Sequence, residues 1–140
     1  HPHSKREDSG EFGRSKIIRN YSAVTAAALA IKKSIYDEVG GLNAERLAVA
    51  FNDVDFCLRV KEAGYQNVYS PFAELYHHES VSRGPDTDPI KAKRFESEAL
   101  YMKDKWKIFI ENDPGYNTNL SLVEGYIIDL DRGQKWPWSD

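Results

Sequence analysis

The sequence has little that would crosslink the protein or anchor it in a membrane. It contains a single cysteine, Cys57, which excludes an internal disulfide and any zinc site that needs two or four cysteines of this chain. The longest apolar run, residues 26–31, is far shorter than the roughly 20 residues that a membrane-spanning helix needs. One unpaired cysteine fits a reducing compartment.

The chain also lacks a strong charge of one sign. Its formal net charge is −3, which argues against a nucleic-acid partner because phosphate contacts need clustered Lys and Arg. Apolar residues make up 41% of the sequence and charged residues 29%, a balance typical of a folded domain with a packed core. Because the 140 residues begin His1-Pro2-His3 without an initiator methionine, we expect them to be cut from something longer.

Apolar periodicity and the placement of glycine and proline predict short strands that alternate with helices, and therefore an α/β class. The polar residues 1–20 predict a mobile segment. The expected strands are residues 22–31, 66–70 and 73–79, and the expected helices are residues 32–39, 52–63 and 90–109. The alanine run within residues 22–31 leaves a helix possible there.

Particular residues sharpen these predictions at the helix ends and on the helix faces. Gly40 and Gly41 should end the first helix, since glycine takes the left-handed conformation without steric cost. Asn52 is a good N-cap for the second helix. Phe56, Val60 and Ala63 are expected to line one face of the second helix, and the expected contact residues of the third are Phe95, Leu100, Met102 and Trp106.

The start of the second helix carries the first chemical pattern, Asn52-Asp53-Val54-Asp55. One interpretation is structural: both aspartates complement the helix dipole, and Asp55 pairs with Arg59 four residues later. The other is catalytic, because a carboxylate at a helix start stays ionised at neutral pH and can act as a general base. Spacing alone leaves both open.

Two further patterns follow in the second half of the chain. His77 and His78 are neighbours in an expected strand, so they point to opposite faces, and one of them can meet a metal or a substrate. Arg83 stands among small polar loop residues and can clamp a phosphate. The structural alternatives are a packed strand histidine and a solvated loop arginine.

Paired aspartates occur three times, a pattern that can hold Mg²⁺ or Mn²⁺ against a diphosphate. Aspartate-rich loops also produce it by chance. The pairs are Asp53 with Asp55, Asp86 with Asp88, and Asp129 with Asp131.

The order of these patterns is more specific than any one of them. The chain contains VTAAALAIKKSIYDEVGGLN, then FNDVDFCLRVKEAGYQNVYSPFAELYHHESVSRG, then RFESEALYMKDKW and NDPGYNTNLSL. This order resembles family 2 glycosyltransferases, most of all the rhamnosyltransferase-like branch that builds bacterial surface polysaccharides. The resemblance covers about residues 21–122. It implies the acceptor-side, C-terminal half of a GT-A fold, a Rossmann-like domain, with residues 1–20 as a mobile segment and residues 123–140 as a tail.

The resemblance also implies roles for residues at the second helix and before it. Asp53 matches the family's catalytic base; the family often has Glu-Asp there, and this chain has Asn52-Asp53. Asp55 matches a recurrent acidic position, and Asn52 and Asp55 are expected near the substrate. The segment that lines the acceptor site corresponds to Gly40-Gly41-Leu42, although Leu42-Asn43-Ala44 lacks the acidic residue that the family frequently has there.

Beyond the second helix the resemblance implies a metal ligand and a phosphate contact. His77, or His78 in its place, matches a histidine that binds a divalent cation, Mn²⁺ or Mg²⁺. Arg83 matches a loop near the donor diphosphate. The family's own metal-gripping Asp-x-Asp belongs to an N-terminal half, and no such motif precedes Tyr21. The fragment alone is therefore expected to be inactive.

The implied activity is an inverting transfer of sugar from a nucleotide-sugar donor to a glycan or lipid-linked acceptor in surface polysaccharide synthesis. It implies a cytoplasmic location, with access to the inner face of the membrane. A non-catalytic interaction or assembly module is the main alternative, since a truncated sheet exposes an edge strand through which two copies would pair as a homodimer. A metal phosphoesterase built on His77 and the aspartate pairs is a third.

Overall fold

The computed structural model of the chain describes residues 7–75, 88–123 and 126–132. Helices dominate these residues, and one small sheet joins two of the connecting segments. In chain order, the first four elements are a 3₁₀ helix Glu11–Lys16, strand β1 Arg19–Tyr21, a 3₁₀ turn Ala26–Ala28 and helix α1 Lys33–Glu38. The next four are helix α2 Asn52–Glu62, strand β2 Asn67–Tyr69, helix α3 Pro89–Lys105 and helix α4 Lys107–Glu111.

The sheet consists of β1 and β2, which pair antiparallel with Asn20 opposite Val68. Asn67, buried at the end of β2, ties this sheet to α2. Its side-chain amide donates to the carbonyl of Ser22 at 3.0 Å and to that of Cys57 at 2.9 Å. The described residues therefore combine helix and strand, as expected of an α/β fragment.

The predicted strand over residues 22–31 is wrong. This segment contains the 3₁₀ turn Ala26–Ala28, whose three alanines are exposed. Thr25 begins the turn, and its hydroxyl accepts a hydrogen bond from the Ala27 N–H at 3.3 Å. Alanine has a low strand propensity and covers little of a sheet face, so a local side-chain cap outcompetes a strand here.

Residues 1–20, predicted to be a mobile segment, include the helix Glu11–Lys16 and two of the three residues of β1. A second strand prediction differs from the structure. Of the strand predicted at 73–79, residues 73–75 are not in a strand, and the rest lies outside the described residues. The strand predicted at 66–70 is confirmed as β2.

The first two helices are confirmed to within a residue or two. Helix α1 ends where predicted, because Gly40 and Gly41 both have left-handed backbone angles, with φ of 79° and 64°. The third predicted helix is split: α3 ends and α4 begins at Trp106, whose backbone is not helical (φ −110°, ψ 21°).

The core lies between α2 and α3. It consists of the buried residues Leu47, Leu58, Met102 and Trp106, with the partly buried Phe51, Val54, Tyr101 and Phe109 packed against them. Each fully buried apolar side chain of this kind contributes about 1.5–3 kcal/mol. This packing fixes α2, and with it the aspartates at its start, against α3.

The predicted core faces are confirmed in part. Phe56 and Val60 of α2 and Met102 of α3 are buried, and so is Trp106. Ala63 is exposed. Leu100 is 60% exposed. Phe95 is 49% exposed, but its ring packs on that of Phe51. The buried face of α3 instead follows a spacing of four residues through Glu98 and Met102 to Trp106.

Candidate functional site

The candidate site is built around the first turn of α2, which begins in an unusual backbone conformation. Phe51, the residue before the helix, is left-handed with φ 61° and ψ 6°, a conformation that a residue other than glycine rarely adopts. Phe51, not Asn52, occupies the cap position, so the prediction that Asn52 caps the helix is wrong. Such strained residues often cluster at functional sites.

Asn52 instead fixes the loop that precedes the helix. Its side-chain oxygen accepts from the Asn43 N–H at 2.9 Å, and its amide donates to the Leu47 carbonyl at 2.6 Å. The polar side chain predicted to lie near the substrate thus binds the protein's own backbone. It holds the loop 43–47 against the start of α2.

Asp53 is half-buried and is oriented by two backbone N–H groups. One carboxylate oxygen accepts from Ala26 at 3.1 Å, and the other accepts from Val54 at 2.9 Å. A carboxylate has about four acceptor positions, so Asp53 keeps capacity to accept a further proton or hydrogen bond. The 3₁₀ turn that replaces the predicted strand is therefore what positions Asp53.

Asp55, two residues further on, has no exposed surface. One oxygen accepts from the Arg59 Nε at 2.8 Å, which confirms the predicted ion pair. The other accepts from the Lys105 Nζ at 2.8 Å and from the Trp106 indole N–H at 2.9 Å. Burial raises the pKa of Asp55, but the hydrogen bonds from Lys105, Trp106 and Arg59 outweigh burial, and the pKa lies below its ordinary value.

Arg59 extends this network to the glycine pair. Its guanidinium donates to the carbonyl of Val39 and, at 2.7 Å, to that of Gly41. A continuous chain of polar contacts therefore runs from the end of α3 through Asp55 and Arg59 to the turn after α1. Asp55 was expected near the substrate, but the structure places it in this buried network.

Glu98 completes the support and was missed from the sequence. It is 3% exposed, and its carboxylate accepts from the N–H groups of Val49 at 3.2 Å and Ala50 at 2.7 Å. The Arg94 Nε lies 3.8 Å from it. A glutamate four residues before Met102 on an otherwise apolar face was the available signal, but its partners lie 48 and 49 residues away in sequence.

An open surface depression of about 410 Å³ lies at the glycine turn. It is lined by Gly40, Leu42, Asn43, Ala44, Glu45, Arg59 and Lys105. Gly40 and Leu42, two of the residues predicted to line an acceptor site, are thus brought together. Asp53 and Gly41 are not part of this lining.

The predicted metal and phosphate residues cannot be placed in the same way, because His77, His78 and Arg83 lie outside the described residues. Within the described ranges, no three His, Cys, Asp or Glu side chains lie close enough to hold a metal ion. Asp88 caps α3 by accepting from the Ile90 N–H at 2.8 Å. Asp129 accepts from the Asp131 N–H at 3.0 Å. These two aspartates act as local turn and cap residues.

No helix in the described ranges is both long enough and apolar enough to cross a bilayer. The single cysteine, Cys57, is buried on α2. Burial raises the pKa of its thiol, so it does not resemble a reactive cysteine, which needs a lowered pKa.

Comparison with known proteins gives three informative relatives. An uncharacterized protein of Sinorhizobium fredii, y4gI, is 57% identical over 116 residues, which cover 83% of this chain and 13% of that protein. The O-antigen biosynthesis protein RfbC of Myxococcus xanthus is 34% identical over 115 residues, 82% of this chain and 9% of RfbC. The N-acetylglucosaminyl-diphospho-decaprenol L-rhamnosyltransferase of Mycobacterium tuberculosis is 32% identical over 82 residues, 59% of this chain and 26% of the enzyme.

The chain therefore spans between 9% and 26% of the length of these relatives. No family model matches it, and no solved structure gives a significant match. The matches establish a glycosyltransferase-like relationship at modest identity. The family 2 assignment, the GT-A type and the division into residues 1–20, 21–122 and 123–140 stay predictions.

Proposed function

We propose that this chain is the acceptor-side part of a glycosyltransferase and carries its catalytic base, Asp53. The longer protein would transfer a sugar from a nucleotide-sugar donor to a glycan or lipid-linked acceptor in surface polysaccharide synthesis. The observation that carries the proposal is the contrast at the start of α2. Asp53 is partly accessible and is oriented by two backbone N–H groups. Asp55 is buried, and both of its carboxylate oxygens accept from side chains of the protein.

The proposed reaction is an inverting displacement. An acceptor hydroxyl gives its proton to a carboxylate oxygen of Asp53 as its own oxygen attacks the anomeric carbon of the donor. A new carbon–oxygen bond forms on one face of the sugar. The bond to the diphosphate breaks on the other face, and the nucleoside diphosphate leaves with the electron pair.

The surroundings of Asp53 favour this role because they hold the carboxylate in one place. Glu98 fixes the backbone of Val49 and Ala50, and Asn52 fixes the loop before them. The contact between Phe51 and Phe95, with ring centroids 5.3 Å apart, holds the last residue before the helix. A base that is already in position avoids the entropic cost of ordering it during the reaction.

A divalent cation and a cationic contact to the diphosphate stay proposals. The expected ligand is His77 or His78, and the expected contact is Arg83; all three lie outside the described residues. The described residues do not by themselves form a metal site, so no step above depends on one.

The test is nucleoside diphosphate release by the full-length protein with Mn²⁺ and a panel of nucleotide sugars. We expect Asp53→Asn to lower turnover by roughly 10²–10⁴-fold, the usual contribution of a general base, with donor affinity nearly unchanged. Asp104→Asn is the matched control, because Asp104 is an exposed carboxylate on α3. Near-normal turnover by Asp53→Asn would move the base to another residue.

A second candidate is an interaction or assembly module without activity. Exposed apolar side chains near the end of the described chain favour it: Ile108, Leu122, Val123, Ile127, Ile128 and Leu130 are each more than half exposed. No release from any donor, together with a concentration-dependent dimer in sedimentation, would favour this candidate over the transferase.

A further inference from the structure

Arg14 is a buried arginine that has no carboxylate partner in the part of the chain that the structure describes. It lies in the 3₁₀ helix Glu11–Lys16 and is only 8% exposed. Its Nε atom is shut off from solvent and has no hydrogen-bond acceptor among the described residues. A buried charge without a partner is costly, and this position therefore differs from an ordinary surface arginine.

Aromatic rings surround this guanidinium. Its central carbon lies 4.3 Å from the ring centroid of Tyr126 and 5.6 Å from that of Tyr21. Tyr126 in turn packs on Tyr116, with centroids 5.5 Å apart. Cation–π attraction offsets part of the cost of burial, but it supplies no negative charge.

A second arginine shares the same ring. The central carbon of the Arg19 guanidinium lies 4.6 Å from the ring centroid of Tyr21. The two guanidinium groups are therefore neighbours that contact the same tyrosine ring. Among the described residues, no Asp or Glu side chain forms an ion pair with either arginine.

Arg59, a partly buried arginine in the same fold, has a full set of acceptors. It donates to the Asp55 carboxylate and to two backbone carbonyls, those of Val39 and Gly41. Asp8, six residues before Arg14, instead accepts from the Gly10 N–H at 2.8 Å. Within residues 7–75, 88–123 and 126–132, no carboxylate is therefore paired with the positive charges of Arg14 and Arg19.

We propose that Arg14 and Arg19, framed by Tyr21 and Tyr126, form a binding site for an oxyanion, either a phosphate or a carboxylate group of a ligand. A planar guanidinium binds both groups through paired hydrogen bonds. This site is separate from Asp53, and the proposal does not depend on the glycosyltransferase function.

The test follows the arginine Nε–Hε signals of the whole ¹⁵N-labelled chain by NMR during titration with inorganic phosphate and, separately, with glucuronate. The Arg14 signal is identified by its contacts to the Tyr126 ring protons. We expect it to move in a saturable way with at least one titrant. Tighter binding of phosphate or of glucuronate would distinguish a phosphorylated from a carboxylated ligand.

Two variants make the assignment to Arg14 specific. Arg14→Lys keeps the charge but loses the paired donors, so we expect affinity to fall by about tenfold or more. Arg46→Lys is the matched control, because Arg46 also lies over a tyrosine ring, 5.1 Å from that of Tyr101, but is exposed. An unmoved Arg14 signal in the wild-type chain with both titrants, or equal affinity in Arg14→Lys, would overturn the proposal. The wild-type titration decides even if Arg14→Lys does not fold.

Discussion

The outer and inner faces of α2 each carry an aspartate carboxylate, and the surroundings of the two carboxylates differ. On the outer face, Asp53 accepts hydrogen bonds from the backbone N–H groups of Ala26 and Val54. On the inner face, Asp55 is enclosed by Arg59, Lys105 and Trp106. Two residues along a helix are about 200° of rotation, so one aspartate faces away from α3 when the other faces it. Paired aspartates in sequence therefore need not share a site.

The largest expected effect is a difference in stability between two matched substitutions. Asp55→Asn would leave the Arg59 and Lys105 charges without their carboxylate, and we expect it to lower the free energy of unfolding by about 3–5 kcal/mol. Asp53→Asn keeps an acceptor at a half-exposed position, and we expect a loss within about 1 kcal/mol. Urea denaturation of both variants measures the difference. Equal losses would mean that the two faces of α2 are not distinct.

The glycine turn held by Arg59 gives a second matched pair. A Cβ at Gly41 would lie 2.8 Å from the Tyr36 ring, and the residue has a left-handed φ of 64°. We expect Gly41→Ala to cost roughly 2–4 kcal/mol, from overpacking together with backbone strain. Gly40→Ala meets no atom within 4 Å, and only the strain of its φ of 79° applies, roughly 1–2 kcal/mol. Thermal unfolding of both variants tests this, and a smaller loss at Gly41 would contradict the packing.

The smallest expected effect is on the pH dependence of stability. The pKa of Asp55 in the folded chain lies below its ordinary value of 3.8. Its contribution is therefore complete above that value, and it is lost as the pH falls through the lower, folded-state pKa. We expect the free energy of unfolding of Asp55→Asn to fall less between pH 5 and strongly acidic pH than that of the wild type. Parallel curves from denaturation at several pH values would contradict this.

What could be predicted from the sequence was local. Helices α1 and α2 follow from apolar spacing and from glycines at their ends, and the Asp55–Arg59 pair follows from a separation of four residues. The prediction of a strand over residues 22–31 was wrong because an apolar run of alanines has no alternation of apolar and polar residues. The prediction that Asn52 caps α2 was wrong because its side-chain amide binds the backbone of the loop 43–47. These contacts are between residues distant enough that helix-end preferences do not predict them.

The supporting residues could not be predicted, because they come from a distant helix. Glu98, Lys105 and Trp106 contact residues 49, 50 and 55 across separations of 48–51 positions. No spacing rule within one helix or strand relates such residues. Arg14 was missed for the same reason, since Tyr126 lies at the other end of the described chain.

Because residues at and after α3 hold the start of α2 in place, α2 is stabilised only late in the synthesis of the chain. The ribosome makes Asp53 about 50 residues before Trp106, and an isolated helix as short as α2 is marginal in water. The nascent chain therefore carries its candidate base in an unformed segment until Glu98 and Trp106 have emerged. A chain that stops before residue 98 would contain every residue of that first turn without the contacts that shape it.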